Sequence, residues 1–222
     1  MTKEKELEAD AVRRSVFDLR VFVVGGGHAY LKMFYEAGFR GATSVEDADI
    51  VCFTGGEDVD PSFYGEEPLE ETHFSTIRDL REKDVYEKAV LKGAPMVGIC
   101  RGSQFLNVMN GGKLWQDVNN HCIGHEVIDF RNGNVVKGMT STHHQQMIEG
   151  PGAEIIAAAQ ISTVKKSQSE TLRRPEPLSD DLEVVFYPQT NSLCFQPHPE
   201  FRHGECRDYF LDLVDDLILP AT

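Results

Sequence analysis

The stretch Pro95-Met96-Val97-Gly98-Ile99-Cys100-Arg101-Gly102-Ser103-Gln104 constrains this chain more than any other. It reads as a short buried strand, a sharp turn carrying Cys100, and a helix that starts at once. Gly-x-Cys-x-Gly has the form of a nucleophile elbow with cysteine in place of serine. An elbow holds its central residue in a strained backbone conformation, and side chains close beside it would collide. Small residues two before and two after, here Gly98 and Gly102, relieve that crowding. The thiol then stands at the mouth of a helix, where the positive end of the dipole favours an anion. The plain alternative is a structural cysteine buried in a strand–helix turn; the paired glycines argue against it.

The rest of the chain supplies a sheet to hold such an elbow. Arg20 to Val24 reads as a first strand, followed by Gly25-Gly26-Gly27 and a helix over Ala29 to Ala37 that Gly38 closes. A dinucleotide loop fails there, because Tyr30 stands where the third glycine of the fingerprint belongs. Asp49 to Phe53 is the next strand and ends in Thr54-Gly55-Gly56, either a tight turn or an oxyanion-binding loop. Arg78 to Leu91 is a helix expected to turn Leu80, Val85, Tyr86 and Ala89 inward. Val127 to Phe130 and Val135 to Val136 flank Asn132-Gly133, a hairpin signal, and Ala153 to Ala159 is a further strand. Residues 160–182 are polar and read as a loop or inserted lid. Val184 to Tyr187 and Leu193 to Gln196 pair with each other, and a helix from Glu205 to Ile218 closes the chain. This predicts a charged lead-in over residues 1–19 and a single α/β domain over 20–222, with a mainly parallel sheet covered on both faces. In such sheets, ligands bind beyond the carboxyl ends of the strands. Gly55-Gly56, Cys100 and His198 each follow a strand, so they should meet at one edge.

The chemistry follows from what would meet there. His198 and Glu200 alternate on one extended stretch and share a face, so the carboxylate can orient the imidazole. Cys100, His198 and Glu200 then form a catalytic triad for acyl transfer through a thioester. Cys100 attacks a carbonyl, backbone N–H groups of Gly56 and Arg101 hold the tetrahedral oxygen, and His198 protonates the leaving amine and then activates water. Metal is the rival use of histidine. His121, Cys122, His125 and Glu126 are closely spaced and His143-His144 adds to them, but no pair sits at a zinc spacing with matching partners, so neither metal nor other cofactor is expected.

Composition excludes other classes. A net charge of −14 repels nucleic acid over most of the surface. No apolar run approaches a membrane span, and the charged N-terminal residues show no secretory signal. Five cysteines without a Cys-x-x-Cys pair suit free thiols in a reducing cytoplasm.

Gly98-Ile99-Cys100-Arg101-Gly102-Ser103-Gln104-Phe105-Leu106-Asn107-Val108, followed by Gly111-Gly112-Lys113-Leu114-Trp115-Gln116-Asp117-Val118, resembles the class I glutamine amidotransferase superfamily. More narrowly it resembles the γ-glutamyl hydrolase branch, which includes γ-glutamyl-γ-aminobutyrate hydrolases. Gly55-Gly56-Glu57-Asp58-Val59-Asp60-Pro61, Arg78-Asp79, Ser141-Thr142-His143-His144-Gln145 and His198-Pro199-Glu200 fit the same branch. The resemblance implies a flavodoxin-like three-layer sandwich, and it places Gln104 and His143 near a bound γ-glutamyl group. It departs at Pro197, where many members carry tryptophan, and in the segment between Ala159 and Val184. The expected activity is a cysteine hydrolase cleaving a γ-glutamyl amide. The alternatives are a glutaminase that hands ammonia to a separate synthetase, and a non-catalytic module that keeps the fold. The expected partner is a small γ-glutamyl compound or glutamine; the oligomeric state is open, a homodimer included.

Overall fold

The computed structural model describes residues 18–122, 124–177 and 180–219, so nearly all of the charged lead-in lies outside the described residues. Strands β1 (Arg20–Val24), β2 (Arg40–Gly41), β3 (Ile50–Phe53) and β4 (Met96–Ile99) come first along the chain, with helices α1 (His28–Glu36) and α2 (Thr76–Lys92) between them. Helix α3 (Arg101–Met109) leaves β4 through Cys100. The β elements that follow are β5 (Lys113–Trp115), β6 (Asp117–Val118), β7 (His125–Asp129), β8 (Asn134–Met139), β9 (Gln146–Ile148), β10 (Glu154–Ala159), β11 (Val164–Lys166) and β12 (Thr171–Arg173). Then β13 (Asp181–Tyr187) and β14 (Ser192–Phe195) form the antiparallel pair foreseen across Pro188 to Asn191, and α4 (Glu205–Leu213) follows.

The main sheet runs β2-β1-β3-β4-β14-β13-β10-β7-β8. From β2 to β14 every pairing is parallel; from β14 onward every pairing is antiparallel. The parallel half has the sequence such strands need. Ile50-Val51-Cys52-Phe53 and Met96-Val97-Gly98-Ile99 are buried at every position, as strands covered on both faces must be. One face packs Val21, Ile50, Val97 and Ile99 against Phe34 of α1 and Phe210 and Leu213 of α4. The other packs Val51, Phe53 and Met96 against Ala89 of α2 and Phe105 and Leu106 of α3. The fold is flavodoxin-like, with helices on both faces of a mixed sheet.

Two expectations need correction. Leu80 does not face inward: it is 56% exposed, while Asp79 and Glu82 of the same helix are buried. The reason is a charged partner, since Arg101 lies beneath that face of α2 and takes both carboxylates. Residues 160–182 are not simply loop or lid: β11 pairs with β12 and β6 in a small antiparallel sheet. Part of its polarity is buried and paired: Lys165, 1% exposed, lies 2.7 Å from Asp181. Among the described residues no helix is long and apolar enough to cross a membrane.

Candidate active site

The elbow is built by backbone contact. Cys100 has φ 52° and ψ −115°, a conformation that non-glycine residues rarely adopt. A Cβ on Gly98 would lie 2.4 Å from the Gly102 carbonyl oxygen, and one on Gly102 would lie 2.2 Å from the Phe53 carbonyl oxygen. Helix α3 therefore sits main chain to main chain on β3 and β4, and only glycine fits at either position.

His198 arrives from the end of β14. Its backbone N–H donates to Thr140 O at 2.7 Å, and Arg207 of α4 donates to the carbonyls of Pro199 (3.0 Å) and Glu200 (3.2 Å). Nδ1 lies 2.7 Å from Glu200 Oε1 and Nε2 lies 2.9 Å from the Thr142 hydroxyl, while the Phe201 ring stacks on the imidazole at 4.3 Å. A Cβ at Gly55 would stand 3.3 Å from His198 Cε1 and 3.5 Å from Cys100 Cβ, so the Gly55-Gly56 loop, the imidazole and the Cys100 side chain converge on one point. Burial disfavours the imidazolium, but hydrogen bonding and charge from Cys100 and Glu200 outweigh it and raise the His198 pKa to about 10. The ring is therefore cationic at neutral pH.

Helix α2 ties the elbow to the Gly55-Gly56 loop. Arg101 is 1% exposed, and its guanidinium is paired with Asp79 and Glu82. Glu82 also accepts Arg78 Nε at 2.7 Å, and Arg78 Nη2 donates to the carbonyls of Thr54 (3.2 Å) and Gly55 (3.0 Å). Gly56 has φ 144°, and a Cβ there would fall 2.1 Å from Arg78 Nη1. The Gly55 N–H donates to the Tyr30 hydroxyl at 3.1 Å. Burial and the Glu200 charge push the Tyr30 phenol up, so it remains an O–H group.

A cavity of 310 Å³ opens on Cys100, lined by Gly56, Arg101, Gln104, Thr142, His143 and His198 among others. Glu57 and Asp58 put carboxylates on its wall and His73 and His144 put imidazoles there; His144 Nε2 lies 3.1 Å from Asp58 Oδ1. That carboxylate raises the His144 pKa. The Gln104 amide nitrogen lies 3.2 Å from Gln145 O and 3.3 Å from Gln196 Oε1, which leaves its carbonyl oxygen as what it can offer a ligand. His143 reaches the wall, but its Nε2 bonds Gln146 Oε1 at 3.1 Å and its ring lies against His121. Of the closely spaced histidine group, His121 and His125 turn inward onto Glu183 of β13, whereas Cys122 and Glu126 are exposed.

Sequence reasoning missed Tyr30, Thr142, Glu82 and Arg207 as parts of the site. Tyr30 carried a signal, since it broke the glycine fingerprint beside a strand end. The other three are joined to the site only by tertiary contacts.

The peptidase C26 family model matches residues 19–173, ending short of His198 and Glu200. A Mycobacterium tuberculosis relative with a glutamine amidotransferase name is 43% identical over 97 residues, 41% of this chain and 29% of its own length. The chain thus spans about a third of the length of the curated relatives it matches. Among solved structures, a glutamine amidotransferase from Thermotoga maritima superposes with TM-score 0.57 at 16% identity, covering 90% of this chain and 84% of the other. A Thermoplasma acidophilum protein described as part of a GMP synthase gives 0.58 at 15%, covering 89% and 92%. These two show a shared fold, and the family match shows more: the chain belongs to the peptidase C26 family, within the class I glutamine amidotransferase-like superfamily.

Proposed function

We propose that this chain is a cysteine hydrolase that cleaves a γ-glutamyl amide through a γ-glutamyl thioester on Cys100. The observation that carries the reading is the convergence of the strained Cys100 elbow with the His198–Glu200 pair at the Gly55-Gly56 loop. The sulfur of Cys100 attacks the side-chain amide carbonyl. The backbone N–H groups of Gly56 and Arg101 receive the developing oxyanion, each such donor being worth ~10²–10³ in rate. The His198 imidazolium gives its Nε2 proton to the departing amine as the C–N bond breaks, and the neutral ring then draws a proton from water to hydrolyse the thioester. Glu200 fixes the ring by accepting from Nδ1–H, and Thr142 holds the other edge.

The γ-glutamyl group is favoured by this wall of carboxylates and imidazoles. An α-ammonium has Asp58 and Glu57 to meet, and an α-carboxylate has the ring of His144. Gln104 would contact the substrate through its carbonyl oxygen, and His143 through its ring edge, its nitrogens being turned to protein.

A second reading is a glutaminase working with a separate synthetase, supported by the fold shared with the protein described as part of a GMP synthase. Purified chain should release amine from γ-glutamyl amines without any added protein, and a diazo-ketone glutamine analogue should label Cys100 stoichiometrically. Activity on glutamine alone, and only with a synthetase added, would favour the second reading. Labelling spread over Cys52, Cys122, Cys194 and Cys206 would overturn both.

A further inference from the structure

The sequence offers no metal site, yet the fold brings together a group of candidate ligands from residues far apart along the chain. One ligand atom from each of His121, His143 and Glu183 lies within 4.8 Å of the other two, and all three side chains are buried. Their hydrogen bonds fix where the lone pairs point. Gln146 donates its amide nitrogen to Leu182 O, so Gln146 Oε1 is an acceptor, and His143 must bind it through Nε2–H. The Nδ1 lone pair of His143 then meets no donor among the described residues. His121 likewise has Nε2 engaged, 3.1 Å from the Ser162 hydroxyl and 3.4 Å from Asp181 Oδ2, with Nδ1 on the opposite edge. That Nδ1 lies 3.2 Å from Glu183 Oε1, which His125 Nε2 also approaches at 3.3 Å, yet neither Glu183 oxygen accepts a hydrogen bond of full geometry among the described residues.

Two nitrogen lone pairs and a carboxylate thus converge with outer edges already anchored. Unsatisfied buried acceptors of this kind are costly. The arrangement matches metal-binding histidine, whose second nitrogen donates to a carboxylate or other acceptor. Ligands 2.0–2.1 Å from a tetrahedral ion lie roughly 3.3–3.4 Å from one another; His121 Nδ1 and Glu183 Oε1 stand 3.2 Å apart, and His143 offers its ligand atom within 4.8 Å of both. Asp181 is not a competing ligand, because its Oδ1 is 2.7 Å from Lys165 and its Oδ2 accepts the N–H groups of Ile161 and Ser162.

We propose that His121, His143 and Glu183 form a divalent transition-metal site of the zinc class, with both histidines bound through Nδ1, His121 supported from outside by Ser162 and Asp181, and His143 by Gln146. The rival countercharge to Glu183 is a proton on His121. The site lies behind the cavity wall, one residue from Thr142, whose hydroxyl holds His198. A bound ion would therefore stiffen the segment that positions the catalytic imidazole.

The test uses the full chain, stripped with a chelator and titrated with Zn²⁺ alone, then with Co²⁺ for its visible spectrum. Wild type should take up one equivalent and give the intense absorption of a four-coordinate cobalt centre. Uptake should be lost in H143Q and E183Q and unchanged in C100A and C122A. S162A keeps all three ligands and should weaken binding ~10–100-fold; it and the wild-type stoichiometry decide the matter should a ligand variant fail to fold. Absence of stoichiometric uptake by wild type overturns the proposal and leaves the proton as countercharge. Uptake that survives in H143Q and E183Q, vanishes in C100A or C122A, or is untouched in S162A overturns it too.

Discussion

Two buried charge clusters flank the candidate active site, and they are built differently. In the first, Arg78 and Arg101 face Asp79 and Glu82: two cations, two anions, with guanidinium donors on carboxylate acceptors. In the second, Lys165 neutralises Asp181, while Glu183 faces imidazole nitrogens without the geometry of a hydrogen bond. The first cluster matches its two cations with its two anions, leaving Arg101 Nε as its one unpartnered buried donor among the described residues, and it braces the elbow against the Gly55-Gly56 loop. The second has acceptors in excess. Charge balance alone does not separate a structural network from a ligand site; the pairing of donors with acceptors does.

The most damaging way to probe this contrast is to break the complete cluster. D79A and R101A each strand a buried charge, which costs about 3–5 kcal/mol. Urea unfolding should show that loss, together with loss of γ-glutamyl hydrolysis, whether or not metal is present. A loss below about 1 kcal/mol would mean the first cluster is no more finished than the second.

Between the clusters sits the His198–Glu200 pair, and E200Q tests it. By analogy with triad acids, kcat/KM should fall ~10²–10⁴-fold. The pH profile carries a sign as well. The folded His198 pKa is raised above its ordinary 6.5, so its contribution to stability is whole below 6.5 and lost as pH rises through about 10. Amine release needs the imidazolium, so activity should decline along an alkaline limb near pH 10. In E200Q that limb should move to lower pH; a limb that stays in place would remove Glu200 from its role.

G56A asks whether the first cluster positions the loop it holds. The added methyl meets Arg78, and the φ of 144° strains any other residue. The expected effect is ~10²–10³ in kcat with the unfolding midpoint much less changed. The second cluster gives a smaller signal: Zn²⁺ at about a hundred times its Kd should stabilise wild type by about 2.7 kcal/mol in thermal unfolding, and E183Q not at all. Smallest of all, K88A, which removes an exposed partner of Asp84, should change stability by under about 0.5 kcal/mol. That sets the baseline against which both buried clusters are read.

The same contrast explains what could be read along the chain. The elbow was legible because its constraint is local: Gly98 and Gly102 stand two residues either side of Cys100. The Asn132-Gly133 hairpin and the apolar runs of β3 and β4 were legible for the same reason. The inward face of α2 was misread because Asp79 and Glu82 look solvent-facing until Arg101 is placed beneath them. The convergence of His121 and His143 with Glu183 was out of reach, since β13 brings the carboxylate from 62 residues beyond His121. Residues 160–182 looked like a lid because Lys165 gives no hint of its buried partner.

Helix α3 rests on β3 and β4 through bare main chain at Gly98 and Gly102, and this makes the sulfur's address a property of the peptide skeleton. Substitutions that reshape the Glu57–Asp58 or His143–His144 walls can retune which molecules enter without disturbing where bond-making happens. A scaffold so arranged keeps its reaction while its clientele diverges.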